Sequence, residues 1–179
     1  SDLYVNQITI ARPNWCVPAV LEMVLRHYGI KGIGQKDIAE QLEITPAEEG
    51  ISREQWGARV KGGTLNEFFQ SNGIPLIENY CPISHVLDEV FFVDEIQQIL
   101  KKPKTSIICG YTYERLFNIG DGRYQHVSII VDATDDGRVE IIDPGPKNAG
   151  LKYVNAASLF DAIRAAKDGL WCIEPIDKM

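Results

Sequence analysis

Apolar positions 17, 20, 21, 24, 25 and 28 recur with the i, i+3, i+4, i+7 spacing of a helix that buries one face. This spacing predicts a buried helix over residues 17–28, and Gly29 follows it as a helix-stop residue. Weaker patterns predict three further helices, over "QKDIAEQL" (35–42), "TLNEFFQSNG" (64–73) and "VDEIQQILKK" (93–102). Thr64 and Glu67 have the spacing of a capping box. Residues 43–63 are predicted to form a loop or a short helix.

From Thr105 onward the pattern changes to short apolar runs that are separated by turn residues, which is typical of strands. The predicted strands are "TSIICGYTY", "HVSIIVDA", "RVEIID", "LKYV" and "LWCIEPI", with a helix over "NAASLFDAIRAAK" before the last of them. The turn signal "TDDG" at 134–137 predicts a hairpin over residues 126–143. The sequence therefore predicts an α+β fold in one domain (1–179), with a helical N-terminal half packed on an antiparallel sheet from the C-terminal half.

Composition narrows the possible functions. The net charge of −7, with no basic cluster denser than "KKPK", argues against binding to nucleic acid. No apolar run approaches the roughly 20 residues of a membrane-spanning helix, and no signal peptide is visible at the start, so a soluble chain without membrane insertion is expected. The cysteines and histidines lack the spacing of a metal site, and neither metal nor cofactor is expected.

Cys16 differs from the other cysteines in its position at the start of the first predicted helix. Asn14 fits the N-cap and Pro18 fits the first turn, so the thiol would meet the positive end of the helix dipole. That field stabilises a thiolate, the form of cysteine that acts as a nucleophile. The alternative is that Cys16 is a small core residue, which is the interpretation that we give to the three others, Cys81, Cys109 and Cys172.

A nucleophilic thiol needs a base that a third group orients, and the chain has three histidines. His27 lies on the same helix as Cys16, about three turns or ~16 Å away. His85 lies in a predicted loop with only Asp88 and Glu89 as nearby acids. Both are predicted to be structural or solvated residues.

His126 opens the strand "HVSIIV", and the predicted hairpin returns "VEIIDPGP" beside it. A two-residue turn would place His126 opposite Gly145, two positions from Asp143. His126 and Asp143 would then share a face as diagonal neighbours, about 7 Å apart at the backbone. A slip of one residue would separate them.

The ordered motifs "VNQ", "NWCVPAVLEMVLRHYG", "QHVSIIVDA" and "VEIIDPGP" resemble the bacteriocin-processing, double-glycine-leader type of papain-like cysteine peptidase, known also from stand-alone bacterial domains. The resemblance spans nearly the whole chain and implies a papain-like α+β fold. It implies that Cys16 is the nucleophile, His126 the base and Asp143 the residue that orients the base. It also implies an oxyanion donor, Gln7, although nine residues separate Gln7 from Cys16 and leave Asn14 as the alternative donor.

The resemblance does not fix the reaction, because hydrolysis, deamidation and acyl transfer at a thiol all pass through a thioester. A thiol peptidase that acts on a peptide or protein substrate is the leading expectation. A deamidase or acyltransferase is the enzymatic alternative. A degenerate peptidase domain that binds a leader-like peptide without cutting it is the non-enzymatic alternative.

Overall fold

The computed structural model of the chain describes residues 11–12, 14–44, 60–120, 124–145 and 149–176. Its elements follow the order α1 (Cys16–His27), α2 (Gln35–Gln41), α3 (Thr64–Ser71), β1 (Leu76–Pro82), a 3₁₀ turn (Ile83–His85), α4 (Glu89–Lys101), β2 (Ser106–Thr112), α5 (Tyr113–Phe117), β3 (Gln125–Ala133), β4 (Arg138–Asp143), β5 (Gly150–Asn155), α6 (Ala156–Ala165) and β6 (Gly169–Pro175). The loop predicted over residues 43–63 lies largely outside the described residues.

The strands form one antiparallel sheet in the order β1-β6-β2-β3-β4-β5. Helices cover both faces, because alternate residues of the central strands are buried on opposite sides. On one face α1, α2 and α3 pack over residues such as Ile108, Val127 and Ile129. On the other face α4 and α6 pack over residues such as Ile107 and Ile130. The predicted α+β class, with helices packed on an antiparallel sheet, is confirmed.

Three elements depart from the sequence prediction, and one of them is α5, a short helix that was not predicted and that begins at the last residue of a predicted strand. α4 begins at Glu89, earlier than predicted, because the Asp88 carboxylate accepts hydrogen bonds from the N–H groups of Val90 and Phe91 and so caps the helix. β1 was not predicted, and it supplies the sheet with a strand from the N-terminal half of the chain. None of the helices in the described ranges is long and apolar enough to cross a membrane.

The start of α3 is capped by a carboxylate from another element. Glu78 of β1 accepts hydrogen bonds from Gly63 N–H over 2.6 Å and Leu65 N–H over 2.9 Å. The N-cap is Gly63, and no side chain of the helix caps it, so the capping box predicted for Thr64 and Glu67 is wrong. A tertiary contact satisfies the N–H groups that the local motif was expected to satisfy.

The turn of the β3–β4 hairpin contains residues 135–137, one more than a two-residue turn. Thr134 N–H donates to the Arg138 carbonyl oxygen over 2.8 Å, which closes the longer turn. Gly137 has a φ of +86°, the left-handed conformation that a three-residue hairpin loop needs at its last position. Taken alone, the extra residue would shift the register of the whole hairpin by one.

A β-bulge in β3, between Ile130 and Asp132, compensates for the longer turn. On the far side of the bulge Ile129 pairs with Ile142, which is the register that a two-residue turn would have produced. The two departures cancel, and His126 and Asp143 lie on the same face of neighbouring strands.

Candidate active site

Cys16 is the first residue of α1. The helix α1 packs beside β3. The N-cap is Trp15, whose carbonyl oxygen accepts the first intrahelical hydrogen bond from Ala19 N–H over 3.0 Å. The prediction of Asn14 as N-cap is therefore wrong by one residue, and the Trp15 side chain forms no capping hydrogen bond. Cys16 is 6% exposed, and its thiol lies where the dipole of α1 is positive.

His126 and Asp143 form a buried hydrogen-bonded pair. His126 Nε2 lies 2.6 Å from Asp143 Oδ1, and both side chains are almost completely withdrawn from solvent. The other ring nitrogen of His126, Nδ1, makes no hydrogen bond of ordinary geometry with the described residues. The imidazole is thus held through one nitrogen, and its second nitrogen is left for another partner.

The Asp143 carboxylate is held by the turn that follows β4. Gly145 N–H donates to Asp143 Oδ1 over 3.0 Å, two residues along the chain. Gly145 has a φ of +98°, which residues other than glycine rarely adopt. The "DPG" segment therefore fixes the oxygen that binds His126.

The Cys16 thiol lies close enough to His126 to change the affinity of the imidazole for its proton. Burial lowers the pKa of His126, but the hydrogen bond that its ring N–H donates to Asp143 and the nearby Cys16 sulfur more than offset this effect and raise the pKa to about 9. The imidazole is therefore expected to carry a proton at neutral pH. Contacts between a thiol and its base are often loose in a free enzyme and shorten when substrate binds.

Three tyrosines surround the His126 imidazole, and the sequence analysis did not find them. The ring centroids of Tyr111, Tyr113 and Tyr124 lie 5.7, 5.1 and 5.9 Å from that of His126. The Tyr111 hydroxyl is itself hydrogen-bonded to Ser128 Oγ over 2.8 Å. Tyr111 pairs directly with His126 between β2 and β3. This pairing could have identified Tyr111 from the sequence only if the register of the two strands had been known.

The remaining histidines and cysteines lie elsewhere. His27 ends α1 and His85 ends the 3₁₀ turn on the surface. Burial raises the pKa of the other three thiols, those of Cys81, Cys109 and Cys172, and so keeps them in the unreactive protonated form. The pKa of Cys172 rises to about 12.

The structure brings together three of the predicted site residues, Cys16, His126 and Asp143. The fourth, Gln7, lies outside the described residues. Asn14, the alternative oxyanion donor, is 5% exposed and lies two residues before the thiol. The described residues contain no cluster of histidine, cysteine and carboxylate side chains that would hold a metal ion.

The sequence profile of the Peptidase_C39 like family matches residues 3–165. The chain belongs to this family. The resemblance inferred from the motifs is confirmed, and membership indicates a cysteine peptidase-like protein. The matched range includes Cys16, His126 and Asp143.

The fold is similar to that of a Bacillus anthracis protein whose crystal structure is assigned as a C39-like peptidase. The TM-score is 0.61, and the alignment covers 95% of this chain and 94% of that chain at 12% identity. At this identity the likeness establishes the C39-type, papain-like fold. No curated protein sequence matches the chain.

Proposed function

We propose that the protein is a cysteine peptidase in which Cys16 is the nucleophile, His126 the acid and base, and Asp143 the residue that orients His126. The observation that supports this proposal most directly is the 2.6 Å contact between His126 Nε2 and Asp143 Oδ1. The contact leaves Nδ1 of the same ring for the thiol. Nucleophile, base and orienting group in this order are the arrangement that activates a thiol.

The raised pKa of His126 favours an ion pair between a Cys16 thiolate and a His126 imidazolium. The thiolate attacks the peptide carbonyl carbon, and the carbonyl electrons move to its oxygen. His126 gives its proton to the amine as the C–N bond breaks, which leaves a thioester on Cys16. The neutral imidazole then takes a proton from water, which attacks the thioester and releases the acid and the thiolate.

The start of α1 offers a donor to the oxyanion that forms in each step. The first N–H groups of an α-helix have no intrahelical acceptor, and those of Cys16 and Val17 belong to this class. Pro18 has no N–H to contribute. We therefore assign one oxyanion hydrogen bond to the backbone beside Cys16, and the second to Gln7.

Product analysis on a peptide library tests the proposed reaction. We expect incubation with the protein to produce new amino termini at a recurring sequence, with each product pair gaining one water. Mass spectrometry of the library distinguishes this outcome from the alternatives. Uncleaved peptides whose side-chain amides have become acids would show that the reaction is deamidation. Peptides joined to one another would show that it is acyl transfer.

Gln7→Ala is expected to lower kcat by roughly 10²-fold or more while KM and stability change little, because an oxyanion donor acts mainly in the transition state. Steady-state kinetics with active sites counted by thiol titration measure this effect. Asn14→Ala is the matched comparison, since Asn14 is a buried polar residue close to the thiol. Loss of turnover in folded Asn14→Ala, with Gln7→Ala unaffected, would transfer the oxyanion role to Asn14.

A further inference from the structure

A cavity of about 500 Å³ lies on the face of the sheet opposite α1, and the proposed mechanism does not use it. Its walls are α4, the turn of the β3–β4 hairpin and the start of α6. The turn follows Ala133, whereas His126 lies at the other end of β3, roughly 23 Å away along the strand. This cavity, the hairpin groove, therefore has the volume of an ordinary ligand site and is separate from the proposed active site.

Hydrogen bonds fix the three walls of the hairpin groove relative to one another. Gln97 of α4 donates from Nε2 to the Ala133 carbonyl oxygen over 3.0 Å and to Asp135 Oδ1 over 2.9 Å. At the start of α6, Ala156 N–H donates to the Gly137 carbonyl oxygen over 2.8 Å. The groove is therefore formed before a ligand binds, and binding does not bear the cost of ordering its walls.

Apolar side chains at the beginning of α4 extend the hairpin groove onto the surface. Val90 and Val93 line the groove itself. Leu87, just before the N-cap, and Phe91 lie close to Val90 in the chain, and all three are more than half exposed. Large apolar side chains that are exposed together in this way are typical of an interaction surface.

Carboxylates determine the charge of the hairpin groove. Four of its lining residues are acidic, and within the described ranges no lysine, arginine or histidine lines it. The four are Glu89, Asp94, Asp135 and Asp136. Among the described residues only Asp136 has a cationic partner, Arg138, whose Nε lies 3.2 Å from Asp136 Oδ2. Charge complementarity therefore favours a cationic ligand.

The helix ends beside the hairpin groove offer little to an anion. In α4 the N–H groups of Val90 and Phe91 already donate to the Asp88 carboxylate. In α6 the Ser158 N–H donates to Asn155 Oδ1 over 3.2 Å. Because these N-terminal donors are occupied, the carboxylates and the apolar side chains are what the groove presents to a ligand.

We infer that the hairpin groove is a docking site for a basic, partly apolar segment of a partner protein. Lysine or arginine side chains of this segment pair with the carboxylates of the groove. An apolar side chain between them packs on Val90 and Phe91. The inference goes beyond the proposed function, because the groove lies apart from Cys16 and requires no chemistry there.

Titration with a defined peptide tests the docking site. The probe is the blocked peptide GKLKFKG, added to the isotope-labelled full chain after treatment with iodoacetamide, which prevents cleavage during the NMR measurement. One matched peptide carries glutamine in place of the lysines, and a second carries serine in place of leucine and phenylalanine. We expect saturable shifts of the backbone resonances in the groove, such as those of Val93 and Gly137. The probe should bind about 5-fold more tightly than either matched peptide.

Asp94→Asn combined with Asp135→Asn removes two charges from the groove, while residue 135 can still accept the hydrogen bond from Gln97. We expect this variant to bind the probe about 5-fold more weakly. Glu40→Gln combined with Glu67→Gln is the matched control, because it removes two exposed carboxylates from α2 and α3 on the other face of the sheet. The control should bind as the wild type does. The wild-type comparison of the three peptides stands on its own if the groove variant fails to fold.

Four results would overturn the docking site. The first is a titration without saturable shifts in the groove. The second is equal weakening in both double variants, which would indicate general attraction to an acidic protein. The third is equal affinity for a matched peptide, which would show that its lysines or its apolar side chains contribute nothing. The fourth is a dimer in sedimentation analysis whose dissociation shifts the groove resonances, because a second copy would then be the occupant. Each result leaves the peptidase proposal intact, since turnover at Cys16 is measured separately.

Discussion

Cys16→Ala is expected to abolish turnover, with a loss of at least about 10⁴-fold in kcat, because removal of the nucleophile removes the covalent step itself. The same substitution should remove the thiol that iodoacetamide modifies first at neutral pH. Exposure alone predicts a different order, since Cys81 and Cys172 are more exposed than Cys16. Turnover assays and mass mapping of the alkylated cysteine measure the two effects.

Cys81→Ala is the matched control for Cys16→Ala. Cys81 is a partly exposed thiol on β1, and burial raises its pKa. We expect this variant to keep both its turnover and its rapidly labelled thiol. If Cys81 or Cys172 were alkylated before Cys16 in the folded protein, or if Cys16→Ala kept its turnover, Cys16 would not be the nucleophile.

Helices and strands that are specified by a local pattern of consecutive residues could be predicted from the sequence. The apolar stripe of α1 and the runs of β2, β4 and β6 are local patterns, and the structure has these elements within one or two residues of the predicted bounds. β1 reverses the usual pattern, with Ile77 at 39% exposed and Glu78 at 4%. Glu78 points inward because it caps α3, and this tertiary role disguised the strand.

The strand register that brings His126 next to Asp143 depends on two features of the hairpin that the sequence pattern did not reveal. The longer turn ending at Gly137 and the bulge between Ile130 and Asp132 each shift the pairing by one residue, in opposite senses. Either feature alone would have separated the two side chains. The predicted pairing thus agrees with the structure through compensation between distant parts of the hairpin.

Residues whose surroundings depend on several elements could not be predicted from the sequence. Asp168 accepts a hydrogen bond from Tyr80 of β1 and packs against Gly110 of β2. Nothing in the local sequence around Asp168 distinguishes it from a solvated turn residue. The sheet order β1-β6-β2, which places a C-terminal strand between two earlier ones, creates this environment.

Asp143→Ala is expected to lower kcat/KM by about 10²- to 10³-fold, because His126 loses the group that holds it against the thiol. Asp143→Asn should keep more activity, since the amide oxygen can still accept from His126 Nε2 and from Gly145 N–H, but it lacks the negative charge. The charge and hydrogen bond of Asp143 help to raise the pKa of His126 to about 9. Above that pH the imidazolium loses the proton that the leaving amine needs, so wild-type activity should fall as the pH rises through about 9.

The pH profile separates the charge of Asp143 from its role in orientation. In Asp143→Asn the alkaline fall in kcat/KM should move to lower pH, toward the ordinary histidine value of 6.5. Stability should follow the same titration: the contribution of a raised histidine pKa is complete below about 6.5 and is lost as the pH rises through about 9. Chemical denaturation across this range should therefore show a smaller decline for Asp143→Asn than for the wild type. An alkaline limb that stays in place in Asp143→Asn would show that another group titrates there and would remove His126 from the role of acid.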